Sequence, residues 1–259
     1  MTSTTVTRSR YPARTTGAGL GRLTRIELRK SVDTRAGRWL LIAVAAVGLI
    51  IAVLSALLGS AKNQTFHQNA ASIQGAMAVL LPIVSILLVT SEFSQRTALQ
   101  TFVLVPRRGL IVAAKLLSGA VIAVAFAGYG TVLSLLATGA AAHPATAGRW
   151  QHAALVVLGS LIVQLISQLS GMGFGLLLMS SAGAIVANFV IPIAWAGLAG
   201  GIQALHGVQP WLDPSKVSTY LLNGEMSVQR WAQVCVVALI WVAALLAAGT
   251  HRARRTDIS

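Results

Sequence analysis

The side chains in this sequence that could do chemistry away from water are uncharged. Ser160, Gln164 and Gln168 recur every fourth residue, with Ser167 beside them, and that spacing sets them on one face of a helix. Asn188 lies in the next apolar stretch, and Pro192 frees its carbonyl by removing the bond from residue i to i−4. Pro82 interrupts an earlier apolar stretch in the same way. Amides and hydroxyls so placed suit two roles. One is structural, helix–helix hydrogen bonds and kinks. The other is a path with no fixed charge, better matched to an amphipathic or apolar cargo than to a small ion. Gln164, Gln168, Asn188 and Pro192 are therefore candidates for either a pathway or helix packing.

Other chemistries find no matching pattern. None of Lys30, Lys62, Lys115 and Lys216 follows a glycine-rich phosphate cradle. The run Gly171-Met172-Gly173-Phe174-Gly175 has the wrong spacing for a dinucleotide fingerprint. The GxxxG spacing at Gly171/Gly175 and Gly197/Gly201 instead predicts close helix approach. His67, His143, His152 and His206 fall in loops or at segment edges, with no carboxylate or Cys at ligand spacing. Cys235 is the single cysteine, read as a small buried apolar residue. No nucleophile has a base and an orienting group placed for it. The sequence thus predicts no catalytic, cofactor or metal residues.

The elements that must carry these residues are set by the distribution of charge. Of 259 residues, 55% are apolar and 10% charged, against roughly 25% charged in ordinary soluble domains. That excludes a soluble enzyme and a wholly disordered chain. Uncharged gaps run from Arg38 to Lys62, Lys62 to Glu92, Lys115 to Arg149, Arg149 to Asp213 and Arg230 to Arg252. Four of them fit one membrane span of about 20 residues. The gap between Arg149 and Asp213 would make a helix of about 95 Å, so it holds two spans, turning at Ser180-Ser181-Ala182-Gly183. The expected spans are 39–58, 73–91, 115–141, 153–178, 183–204 and 231–250. The first is too long for a signal-peptide core and is read as retained.

Six spans put both termini on one side. Sixteen Lys/Arg lie on that side and four on the other, so the termini are expected to be cytoplasmic. The net charge of +14 then reflects topology and anionic lipid headgroups. A nucleic-acid surface would interleave stacking groups with basic ones, and the N-terminal arm offers only Tyr11 and Trp39. No nucleic-acid partner is expected.

The predicted organisation is a disordered basic arm over 1–19, an amphipathic interfacial helix over 20–38, a six-helix membrane domain over 39–250 and a cytoplasmic tail over 251–259. Glu27–Lys30 and Arg29–Asp33 are at pairing distance on the interfacial helix. Trp39 suits the membrane edge. In the 92–115 loop, Ser94 can cap a helix over 95–105, ended by Pro106. Leu99, Phe102 and Val103 share its apolar face. Eleven residues reach about 16 Å, too short to cross, so the helix would lie flat. The same residues also fit a plain basic loop. Lys115 is expected to snorkel to headgroups, and residues 205–230, broken by Pro210 and Pro214, to dip into the outer interface as a re-entrant element.

The chain resembles the type-2 permease family of bacterial ATP-binding-cassette (ABC) exporters. The resemblance runs over nearly all of 24–258. It is carried by the six-span layout with its basic N-terminal helix and by the loop SEFSQRTALQTFVLVPRRGLIVAAKLL, with Glu92, Arg96, Thr97, Pro106, Arg107, Lys115 and Leu116. AGAIVANFVIP (182–192) and the ending HRARRTDI, with Arg254, Arg255 and Asp257, add to it. It implies a permease subunit in the plasma membrane, the inner membrane in a bacterium. It would pair with a second copy or paralogue and be driven by a separate ATPase subunit. Glu92, Arg96, Leu99, Phe102, Val103, Pro106, Arg107 and Arg108 would form the coupling element toward that ATPase. The alternative is a non-transporting membrane anchor or regulatory subunit for an ATPase or sensor complex. An intramembrane enzyme is disfavoured by the missing catalytic groups.

The topology is testable in a Cys235→Ser background carrying single cysteines at Ser3, Ser215 or Thr256. An impermeant thiol reagent on intact cells should label the Ser215 position alone. Labelling at Ser3 or Thr256 would overturn the orientation.

Overall fold

The computed structural model describes residues 19–59, 64–94, 108–141 and 148–255. Among these the chain is all-helical, and six helices are long and apolar enough to cross a membrane. It is a multi-span helical membrane protein. Helix α1 is Leu20–Asp33. The spans are α2 (Arg35–Leu58), α3 (Phe66–Ser94), α4 (Arg108–Gly139), α5 (Ala153–Leu178) and α6 (Ser181–Gly201). Two short helices follow, α7 (Gln209–Leu212) and α8 (Pro214–Asn223). The sixth span joins α9 (Val228–Ala238) to α10 (Leu245–Arg255) through a π-helical turn, Leu239–Ala244.

The turn between α5 and α6 falls where the small polar run predicts it. Met179 takes the left-handed conformation, with φ 53°, and Ser180 caps α6 by accepting a hydrogen bond from the Gly183 amide. The sequence predicts one helix over 20–38. Instead the chain breaks at Thr34, whose extended backbone lets its hydroxyl accept from the Gly37 amide at 3.2 Å. A capping threonine offers the backbone an alternative to helix continuation and starts α2 afresh. Helices α3 and α4 begin seven residues before the predicted spans: the polar stretch 67–69 is helical, and so is the apolar stretch that leads from Arg108 to Lys115.

Helices α3 and α5 form the centre of the bundle. Glycines set their spacing. A Cβ on Gly171 would lie 2.9 Å from the Pro82 side chain, and Gly175 faces Ile86 and Val89. Gly173 and Gly249 do the same between α5 and α10, where added Cβ atoms would come within 2.8 Å of Leu245 and 2.7 Å of Leu176. Gly197 and Gly201 differ from the prediction: nothing lies near them, and they face outward on α6. Cys235 is likewise exposed rather than buried, on the outer side of α9.

Lys115 also departs from expectation. It is 6% exposed, and its ammonium lies 2.7 Å from Glu27 Oε2, itself 5% exposed. It reaches the Leu88 carbonyl at 3.5 Å. Lys30 holds the other carboxylate oxygen at 2.9 Å. A buried ammonium gains more from a carboxylate than from stretching toward headgroups when the partner is already in place. Thr24, Glu27 and Ser31 form the inward face of α1, while Ile26 and Val32 face out. The polar side of α1 thus packs against the protein.

A double-mutant cycle on Glu27→Gln and Lys115→Met, read by thermal unfolding in detergent, should give a coupling energy of about 1–3 kcal/mol. The same cycle on the exposed pair Glu225–Arg230 should give about 1 kcal/mol or less.

Candidate functional site: a charge-free cleft

The intramembrane polar residues sort onto two sides of α3 and α5. On one side is a seam that bonds the spans together. Asn69 on α3 accepts from Ser55 on α2 and donates to Thr138 on α4 at 2.8 Å. Gln74 on α3 donates to the Ala127 carbonyl of α4 at 2.9 Å. Gln164 on α5 donates to Gln74 Oε1 at 2.8 Å and to the Gln74 carbonyl at 3.2 Å. Gly130 makes room for Gln74, since a Cβ there would sit 2.7 Å from its amide carbon. Gln168 is fully buried on the same seam, and neither atom of its amide has a partner among the described residues. The predicted row of Ser160, Gln164 and Gln168 is therefore buried, and none of the three is among the residues lining the cleft on the other side. The i, i+4 spacing put these residues on one face, and that face turned out to be the packed one.

On the other side lies a cleft of about 500 Å³ between α3, α5 and α6. Ala71, Gly75, Ala78 and Val79 form its α3 wall, and Val163, Ile166, Ser167 and Ser170 its α5 wall. Asn188, Phe189, Pro192 and Ile193 of α6 close the third side. Asn188 and Pro192 thus both line this cleft. Their period of four places amide and proline ring on one face, and the helix runs through Pro192. Small residues on α3 leave the space open: a Cβ on Gly75 would meet nothing within 4 Å.

The roof is α8, whose Pro214, Ser215, Ser218, Thr219, Leu222 and Asn223 line the cleft. Sequence reasoning expects a re-entrant element here and misses these residues. Asp213 caps α8 through the Ser215 amide at 2.9 Å, with Pro214 in the first turn. Val217, Leu221 and Leu222 bury into the main core, with Gly159 of α5 against the Leu221 backbone. Trp241, on the π-helical turn, donates to the Leu212 carbonyl at 2.9 Å and also lines the cleft. The signal available in the sequence was the Asp-Pro pair, a helix start.

No ionisable side chain is among the lining residues. Asn188, Asn223, Ser170 and the hydroxyls of Ser167, Ser215, Ser218 and Thr219 offer donors and acceptors between apolar walls. Such a surface can hydrogen-bond a neutral polar group and bury an apolar body. It would strip water from an ion without returning a counter-charge.

Of the predicted coupling residues, Arg96, Leu99, Phe102, Val103, Pro106 and Arg107 lie outside the described residues. Glu92 falls in the last turn of α3 and Arg108 opens α4, so these two helices bracket the segment. The Glu27–Lys115 pair and the Leu88 carbonyl sit close to the same helix ends. Sequence reading missed that pairing across 88 positions. His143 also lies outside the described residues, and among those described no three of His, Cys, Asp and Glu gather as metal ligands.

Substitutions should separate cleft from seam. Gly75→Leu should leave the thermal midpoint near that of the parent, since the side chain enters open space and gains helix propensity. Gly130→Leu should destabilise by about 1–3 kcal/mol or more through overpacking on Gln74. Differential scanning fluorimetry of both variants checks the contrast. No family model and no curated protein matches this sequence, so the functional reading rests on the cleft and the helices that frame it.

Proposed function

We propose that this chain is the transmembrane permease subunit of an ABC exporter for an amphipathic or apolar cargo, resident in the plasma membrane. The observation that carries the reading is the charge-free cleft, open between spans and walled by groups suited to a neutral amphipath. Three features fit it. First, α3 runs 29 residues from its cleft-lining half to the segment after Ser94, a rod of about 44 Å. A push on its inner end is delivered at Ala71, Gly75 and Ala78. Second, Pro192 gives α6 a flexible point at the cleft wall. Third, the cleft offers no group for coupling to protons or ions, which fits energy supplied by a separate ATPase.

In this reading residues 95–105 seat in the ATPase, with Leu99, Phe102 and Val103 as the apolar contact and Arg96 as an ionic one. A second permease copy or paralogue completes the assembly. The alternative, a membrane anchor that transports nothing, differs in what the cleft should do.

The test is co-expression with an ATPase subunit that lacks its own membrane domain, followed by purification and reconstitution. The chain alone should hydrolyse no ATP above a membrane blank, and activity should appear with the partner. Gly75→Phe, which fills the cleft, should cut cargo-stimulated hydrolysis and transport by tenfold or more, on the order of 1.4 kcal/mol. The pair Leu99→Asp and Phe102→Asp should abolish stimulation at normal membrane levels. Transport surviving both changes would sink the proposal. A complex that assembles but never responds to cargo would favour the anchor.

A further inference from the structure

The charge on the side of the termini cannot be balanced from within the chain. Sixteen Lys/Arg fall there against Glu27, Asp33, Glu92 and Asp257. Glu27 is already consumed by Lys115 and Lys30. The surplus is arranged on α1. With Thr24, Glu27 and Ser31 turned inward, Arg22, Arg25 and Arg29 fall within an arc of about 60° on the opposite side at 100° per residue. All three are exposed, and none pairs with a described acidic residue. Exposed Val32 and Ile26 flank the arc, and Trp39 stands 66% exposed one turn into α2. Arg35 and Arg38 add two more exposed cations beside it.

We infer that α1 is a docking surface for anionic phospholipid, with Arg22, Arg25 and Arg29 gripping phosphate groups of the leaflet on the side of the termini. Charge complementarity requires an acidic partner. The flanking aliphatics and the edge tryptophan favour a lipid surface over a soluble acidic protein, because they can enter the headgroup–acyl boundary beside the arginines. The buried polar face fixes how the arginines are presented: the Glu27–Lys115 pair resists rotation of α1 about its axis, so the basic arc keeps one direction. Each arginine near an anionic surface contributes about a fivefold preference. The inference depends on the chain being a membrane protein and not on its being a transporter.

The full chain is placed in nanodiscs of equal phosphatidylcholine and phosphatidylglycerol, and retained lipids are counted by native mass spectrometry. Phosphatidylglycerol should be retained over phosphatidylcholine by roughly tenfold or more. Arg22→Gln with Arg25→Gln and Arg29→Gln should remove most of that preference, while Lys216→Gln with Arg230→Gln keeps it. Raising salt from about 50 to 500 mM should weaken the preference in the parent chain, a readout independent of whether the triple variant folds. Soluble glycerol phosphate at equal headgroup concentration should not displace the lipid. Equal retention of both lipids, an unchanged triple variant, or salt-insensitive retention would each overturn the inference. So would arginine-dependent capture of an acidic soluble protein in discs of phosphatidylcholine alone without any lipid preference.

Discussion

The side chain of Gln74 is the joint on which the rest of the bundle depends. In the hydrocarbon region an unpaired amide has no water to turn to, so its partners are fixed as firmly as its position. Its amide nitrogen takes the Ala127 carbonyl of α4, and its oxygen receives Gln164 of α5. Three spans are thereby tied at one depth. Each such bond contributes only about 0.6 kcal/mol on average between membrane helices. Their value is directional: they choose one rotation for each helix. Once α3 and α5 are rotated to meet at Gln74 and Gln164, the small residues Ala71, Gly75 and Ala78 must face α6. On α3 these residues adjoin the amide: Ala71 and Ala78 stand one turn either side of Gln74, and the cleft opens where the seam leaves off.

The same logic governs the end of the bundle nearest the termini. A lysine and a glutamate, both nearly sealed from solvent, hold α1 to the root of α4. A buried pair of this kind is costly to form and costlier to half-remove, so it works as a register device more than as a source of stability. It ties a peripheral helix to the two spans that bracket residues 95–107. The cleft and this joint lie toward opposite ends of α3, and α3 is the helix that both share.

What was legible in the sequence follows from how local each signal is. Six spans, the fold back near Ser180 and the close approach at Gly171 and Gly175 rest on composition and spacing within one segment, and they stand in the structure. What stayed open, or went wrong, concerns which way a face points. Spacing put Gln164 and Gln168 on one side of a helix without saying whether that side met a cavity or a neighbour. Gly197 and Gly201 carry the same motif as Gly171 and Gly175, but among the described residues nothing lies within 4 Å of a Cβ added at either. Lys115 was read as a snorkelling lysine because its partner lies 88 residues away in a helix whose apolar residues form no clean stripe. That untidy stripe was itself a clue: α1 buries hydroxyls and a carboxylate, so its apolar residues had no single side to keep to. Asn188 and Pro192 reach the cleft together because their spacing of four keeps them on one face of α6.

The π-helical turn at Leu239–Ala244 divides the last span into two angular series. Above it, Val234 and Val237 must pack with Leu221 and Leu222 of the roof, and within it Trp241 donates to the Leu212 carbonyl. Below it, Gly249 and Leu245 must mesh with Leu176 and Gly173. A widened turn holds about one more residue than an α-turn, which rotates everything beyond it by roughly 100° relative to an unbroken helix. One uninterrupted α-helix could satisfy only one of these contact sets. The span therefore behaves as two half-helices joined out of phase, with the phase difference stored in a single surplus residue. Sequence drift in the roof-facing half can proceed without retuning the half that meshes with α5, provided the surplus residue is kept. Losing or gaining one residue between 239 and 244 would be a change of alignment for the whole inner half, far larger in effect than any single substitution there.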